Sequence, residues 1–345
     1  MPMLPFLPWA TISEPLRFGD FHLMPLGVAI NEGAVPATMV DPVMAVLAAY
    51  GKTRPVDAAS VPLMHRHDMA ALADLTDEQV TDYFGFRLRL TFAAIASRRF
   101  FDHRYLNSDN LQLVIQGFEP DRAGGAIVQS RRRDGAVNNI IPKGHLNIRR
   151  PNHISGGCEL PRDLDVPLLE ALEKVRDSEA DLVERLDDVV RLFVGANTDS
   201  PDISEHSELV DLVSAFGRLV GEWKEPETVR AFVKLLPSPD ADMLSNKPGT
   251  RAGKARLIDA TANKSVRAVW LKDAFLLRHS YGHGRVTAPS HTPIWSQREH
   301  LLLGSVALPL VVAHFTQVDH AFRSKAITGF GSWRSAVSAD VDHRR

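Results

Sequence analysis

Cysteine is almost missing from this chain: Cys158 stands alone among 345 residues. A lone thiol cannot close an internal disulfide, and a chain of this length can bury enough core to do without one. The expected compartment is therefore a reducing cytoplasm. The start, "MPMLPFLPWATISEPL", has no basic leader and is broken by prolines, so no secretory signal is expected. Long apolar runs are lacking too. The longest, Leu301 to Ala313, contains Pro309 and falls short of the roughly 18 residues a spanning helix needs, so it reads as a core helix and no membrane partner is expected. Charge of one sign is also absent, because a formal net charge of -2 gives no overall attraction to nucleic acid or to acidic membranes. Only local basic patches remain, at Arg131, Arg132 and Arg133 and in "KPGTRAGKAR" (247–256), and each reads first as a solvated hairpin end or loop.

The usual cofactor signatures are missing as well. "GTRAGK" (249–254) is one residue short of a phosphate-binding loop, with Ala255 where a magnesium-holding Ser or Thr would stand, and no G-x-G-x-x-G follows a predicted strand. His279 and His283 form an H-x3-H pair, but Ser280 replaces the glutamate of the protease motif and only His291 offers itself as a third ligand. Cys158 has no base close by in sequence. No cofactor and no metal are expected. His145 and His153 in "GHLNIRRPNHISGG" (144–157), with Arg149 and Arg150, read as surface or structural residues with a minor prospect of anion contact, and His300, His314 and His320 read as structural.

What the chain does have is a change of texture. "DLTDEQVTDYFGFRLRLTFAAIASRRFF" (74–101) opens with a capping box, Thr76 toward the amides and Gln79 reaching back, and predicts a long helix. "LQLVIQGF" (111–118) and "GAIVQSRRR" (125–133) read as strands, with Asp134-Gly135 as a turn. From about Val166 the apolar spacing becomes helical, with a break near Asp177. Ser204 caps a segment whose Leu209, Leu212, Val213, Phe216, Leu219, Val220 and Trp223 form one stripe, and further helices are predicted at 227–236, 262–279 and 295–319. The expected fold is α+β: a mixed α/β region over 1–165, connecting helices over 166–195, an all-α bundle over 196–325 and a polar tail over 326–345.

Behind the apolar run of the penultimate helix stands "LLRHSYGHGR" (276–285). Gly282 and Gly284 bracket His283, and glycine commonly ends a helix because it accepts positive φ. Arg278 in the last turn and His283 just past it could converge on one spot. Arginine offers a planar fork to phosphate oxygens, and an imidazole can take or give a proton near neutral pH. That pair suits RNA cleavage, where a 2'-hydroxyl loses a proton, a leaving oxygen gains one and the phosphorane charge needs donors. Glu205, Glu208 and Asp211 on the preceding stripe helix could orient the pair, although charged residues on such a helix usually form its wet face.

"RHSYGH" resembles the R-x4-H signature of the HEPN superfamily, with His279 as the polar residue that often follows the arginine, and the surrounding helices follow the order of abortive-infection, ApeA-like members. The resemblance implies a metal-independent endoribonuclease, with Arg278, His283 and His279 as site residues and RNA as substrate. It also implies a homodimer through the bundle and a role in anti-phage defence, with the N-terminal region answering a phage-derived trigger. The alternative it leaves open is a non-catalytic bundle that binds a nucleotide or serves dimerisation and regulation, with Arg278 as a phosphate clamp.

Overall fold

The computed structural model describes residues 2–51, 57–97, 106–118, 126–132, 135–141, 157–198, 200–221, 224–236, 266–282 and 293–316. The fold is α+β. It divides between Glu173 and Lys174 into two compact units.

The first unit is built on an antiparallel sheet of seven strands in the order β3-β4-β5-β1-β6-β7-β8. These are β1 (Met3–Phe6), β3 (Leu16–Phe18), β4 (Phe21–Pro25), β5 (Pro62–Arg66), β6 (Val114–Phe118), β7 (Ala126–Arg132) and β8 (Gly135–Ile141). Side chains alternate between the two faces of a strand, so β4 serves two cores at once and is buried throughout. Phe21 and Leu23 face Tyr83, Phe86 and Leu90 of α3 (Asp77–Ala96), with the rings of Phe21 and Phe86 stacked at 4.4 Å. Met24 turns the other way, joining Leu4, Phe6 and Leu63 against α1 (Leu26–Asn31) and α2 (Ala37–Gly51), which supplies Val43, Val46 and Leu47.

The predicted capping box is present in full. Gln79 N donates to Thr76 Oγ1 at 3.2 Å and Thr76 N donates to Gln79 Oε1 at 2.9 Å. The strand predicted from Leu111 begins later, at Val114, because Ser108–Leu111 forms a 3-10 turn. Half-buried Arg87 holds that turn by donating to the carbonyls of Leu111 at 2.7 Å and Ser108 at 2.8 Å, and desolvation pushes its pKa down to about 10. The predicted hairpin is seen in the pairing of Arg132 with Gly135. A short parallel pair, β2 (Ala10–Ile12) with β9 (Cys158–Leu160), adds a second layer. Arg89 of α3 meets Glu173 of α4 (Val166–Val175) in a buried ion pair at 2.6 Å.

The described elements of the second unit are helices: α5 (Ala180–Gly195), α6 (Glu205–Val220), α7 (Glu225–Leu235), α8 (Val266–Gly282) and α9 (Gln297–Phe315). The sequence treats α5 as a connector, yet it lies along α6, where Arg218 reaches Asp188 at 2.9 Å and Glu184 at 3.0 Å. Ser204 caps α6 as predicted, its hydroxyl accepting from Ser207 N at 3.2 Å. Phe216, Phe232 and Trp270 meet with ring centroids 5.4 to 5.9 Å apart, joining α6, α7 and α8. The Arg267 guanidinium donates to the Leu236 carbonyl and ties the end of α7 to α8. Gly304 lets α9 touch α6 closely, since a Cβ there would come within 2.3 Å of Leu212 Cδ2.

Several predicted features lie outside the described residues: His283, Asp134, the 237–256 and 144–156 stretches with their histidines and basic residues, His291, His320, Trp223 and the tail. Among the described residues no helix is long and apolar enough to cross a membrane.

This packing makes two behaviours testable. Gly304→Ala forces Leu212 out of its place and should destabilise the second unit by about 1–3 kcal/mol, read as an earlier urea transition of its helices. The second concerns His22, buried against His65 with ring centroids 4.9 Å apart. Burial, then His65, then Arg17 push its pKa below 6.5, with Glu32 opposing. The unfolded chain therefore binds more protons in the window below about 6.5, so the first unit loses stability as pH falls through it. Urea midpoints measured across that window should slope for the parent and flatten for His22→Gln.

Candidate functional site

The C-terminal end of α8 carries the arginine of the R-x4-H sequence. The helix continues through Tyr281 to Gly282, so Arg278 sits one turn before its end. Residues three apart share a helix face, which places Phe275, Arg278 and Tyr281 in one row. Ser280 is instead turned inward, 2% exposed, and its hydroxyl donates to the Leu276 carbonyl at 3.1 Å. His279 lies about 100° around the helix from Arg278 and is exposed.

Arg278 is half-buried, and burial alone lowers its pKa. Its guanidinium carbon lies 5.8 Å from the centre of the Phe275 ring. No carboxylate pairs with it among the described residues. A cation–π contact of this kind stabilises by about 0.5–1 kcal/mol, far less than the hydration a guanidinium gives up on burial. The arrangement favours an anion from outside the described residues.

The neighbour that meets this row comes from the first turn of α6. His206 packs edge-to-face on Tyr281, with ring centroids 4.1 Å apart and planes at 76°. The Tyr281 hydroxyl is pushed up in pKa by burial and then by the Glu205 carboxylate. Glu205 is thus the acid that α6 brings to the end of α8. Glu208 is buried, 5% exposed, rather than on a wet face. Asp211 is directed at α5, its Oδ2 3.4 Å from where a Cβ on Gly195 would sit, and burial raises its pKa. Sequence reasoning overlooked His206, which belongs to another helix and has no spacing relation to the motif.

The residues that lead into α9 are fixed from α8 itself. Asp273 Oδ2 accepts from Ile294 N at 3.0 Å, from Trp295 N at 3.2 Å and from His300 Nε2 at 3.0 Å. Both Asp273 and His300 are fully buried. Ile294 and Trp295 therefore lie against a point on α8 roughly 13 Å before its end at Gly282. Ser296 and Glu299 then open α9 with a capping box. His300 is the hydrogen-bonded structural histidine the sequence suggests, its ring 6.1 Å from those of both Trp270 and Trp295. No group of three or more His, Cys, Asp or Glu suited to a metal occurs among the described residues.

Removing an acceptor from three buried donors is costly. Asp273→Ala should destabilise the second unit by about 3–5 kcal/mol, and Asp273→Asn by less because an amide oxygen still accepts. Equal urea midpoints for the parent and Asp273→Ala would show that the carboxylate does not hold this junction. Compared with known proteins, the chain matches no family model, no curated protein and no solved structure.

Proposed function

We propose that this chain is a HEPN-type endoribonuclease that cleaves RNA through Arg278 and His283 without a metal ion. The observation that carries the reading is the half-buried Arg278, which has no carboxylate partner among the described residues. A guanidinium in that state suits phosphate oxygens, to which it offers two parallel N–H donors. The helices of the second unit are consistent with the all-α bundle expected of the family, and the R-x4-H sequence supplies a proton carrier five residues after the cation. The scheme works by proton transfer and by donors aimed at the charge that develops on the phosphorane.

Single-stranded or looped RNA is the favoured substrate, because its backbone can reach in-line geometry and its bases are accessible. In this reading the chain dimerises through the bundle and acts in anti-phage defence from the cytoplasm, with the first unit answering a phage-derived trigger.

The test is induced expression of the parent beside Arg278→Ala and His283→Ala, with total RNA fragments mapped and their ends typed. Fragments with 2',3'-cyclic phosphate and 5'-hydroxyl ends should accumulate with the parent and vanish in both variants. RNA left intact by all three, also under phage challenge, would overturn the ribonuclease reading and leave Arg278 as a phosphate clamp in a binding or dimerisation module.

A further inference from the structure

We infer that His206 is a second proton carrier of the Arg278 site, working on the 2'-hydroxyl of a bound RNA. This rests on the ribonuclease reading and adds to it a residue that the R-x4-H sequence does not contain.

The geometry comes from two helices. Arg278 and Tyr281 are three apart on α8, so their Cβ atoms lie about 5–6 Å from one another. His206 packs on the Tyr281 ring at 4.1 Å. The imidazole therefore lies within roughly 13 Å of the Arg278 Cβ, and the guanidinium, which rests 5.8 Å from the Phe275 ring, would swing toward Tyr281 to share a phosphodiester with it. Packing against Tyr281 fixes the ring, while its partial exposure leaves it open to a substrate. The other described histidines of this unit do not combine these properties. His300 is sealed in the core with Nε2 committed to Asp273, His314 sits in the last turn of α9, and His279 is turned around the helix from Arg278.

In the step assigned to it, His206 accepts the proton of the 2'-hydroxyl. The 2'-oxygen forms a bond to phosphorus while the bond from phosphorus to the 5'-oxygen breaks, and Arg278 holds the non-bridging oxygens as their charge grows. The leaving 5'-oxygen takes the proton that the ribonuclease reading assigns to His283, and proton exchange with water then returns both imidazoles to their starting states. The products are a 2',3'-cyclic phosphate and a 5'-hydroxyl.

The experiment uses the purified full chain and a single-stranded RNA oligonucleotide under single-turnover conditions, from about pH 5 to about pH 9. The parent, Arg278→Ala, His206→Gln and His206→Ala are compared, with RNA affinity and unfolding midpoint measured for each. His206→Gln is expected to slow cleavage about 100-fold or more and to lose the acid limb of the pH profile, with RNA affinity retained. Added imidazole should restore part of the His206→Ala rate, which a purely structural role would not allow. Cleavage by His206→Gln within about threefold of the parent, alongside an inactive Arg278→Ala, would overturn the role of His206 and leave the ribonuclease reading standing. A parent that cuts no RNA here or in induced cells would overturn both.

Discussion

A carboxylate can sit inside a layer of helices only when the donors around it are aimed at it, and Asp273 meets that condition. Its Oδ2 gathers two backbone amides and one imidazole at the junction of α8 and α9. A buried donor is costly to leave without its acceptor, so losing this carboxylate would strand three of them at once. Their effect is positional. Ile294 and Trp295, which lead into α9, are thereby fixed against the middle of α8.

The end of α8 has a different electrostatic character. Beyond the hydrogen-bonded interior around Asp273 the helix runs on to a row where a half-buried cation has a phenylalanine ring beside it and no carboxylate partner among the described residues. Desolvation without compensation is tolerated at positions that bind something, because the ligand supplies what the fold withholds. His206 and Tyr281 extend that row onto α6, so the proposed chemistry depends on how α6 and α8 are packed. The triad of Phe216, Phe232 and Trp270, with Leu212 under Gly304, is what holds that packing in place.

Local signals made much of this legible. Thr76 and Gln79 announce α3, Ser204 announces α6, and the stripe from Leu209 to Leu219 is buried as its period requires. Asp134-Gly135 foretells the pairing of β7 with β8. Long-range partnerships left no comparable trace. Nothing near Asp273 or His300 in sequence marks them as partners, since neither period nor turn chemistry relates residues on separate helices. His206 was hidden for the same reason, and the first five strands blurred into a mixed region because β4 is buried on both faces and so loses its alternation. Glu208 shows the converse failure, a charged residue on an amphipathic helix that the fold nonetheless buries.

The placement of the lone thiol has a practical consequence. Cys158 stands in β9, 1% exposed, inside the core that α3 covers. A thiol reagent can reach it only when that core opens, so its labelling rate measures the opening free energy of the first unit inside the intact chain. Because no second cysteine exists anywhere in the sequence, that signal is uncontaminated by the helical unit. A trigger that loosens the first unit would thus announce itself as faster alkylation of a single, chemically unambiguous atom.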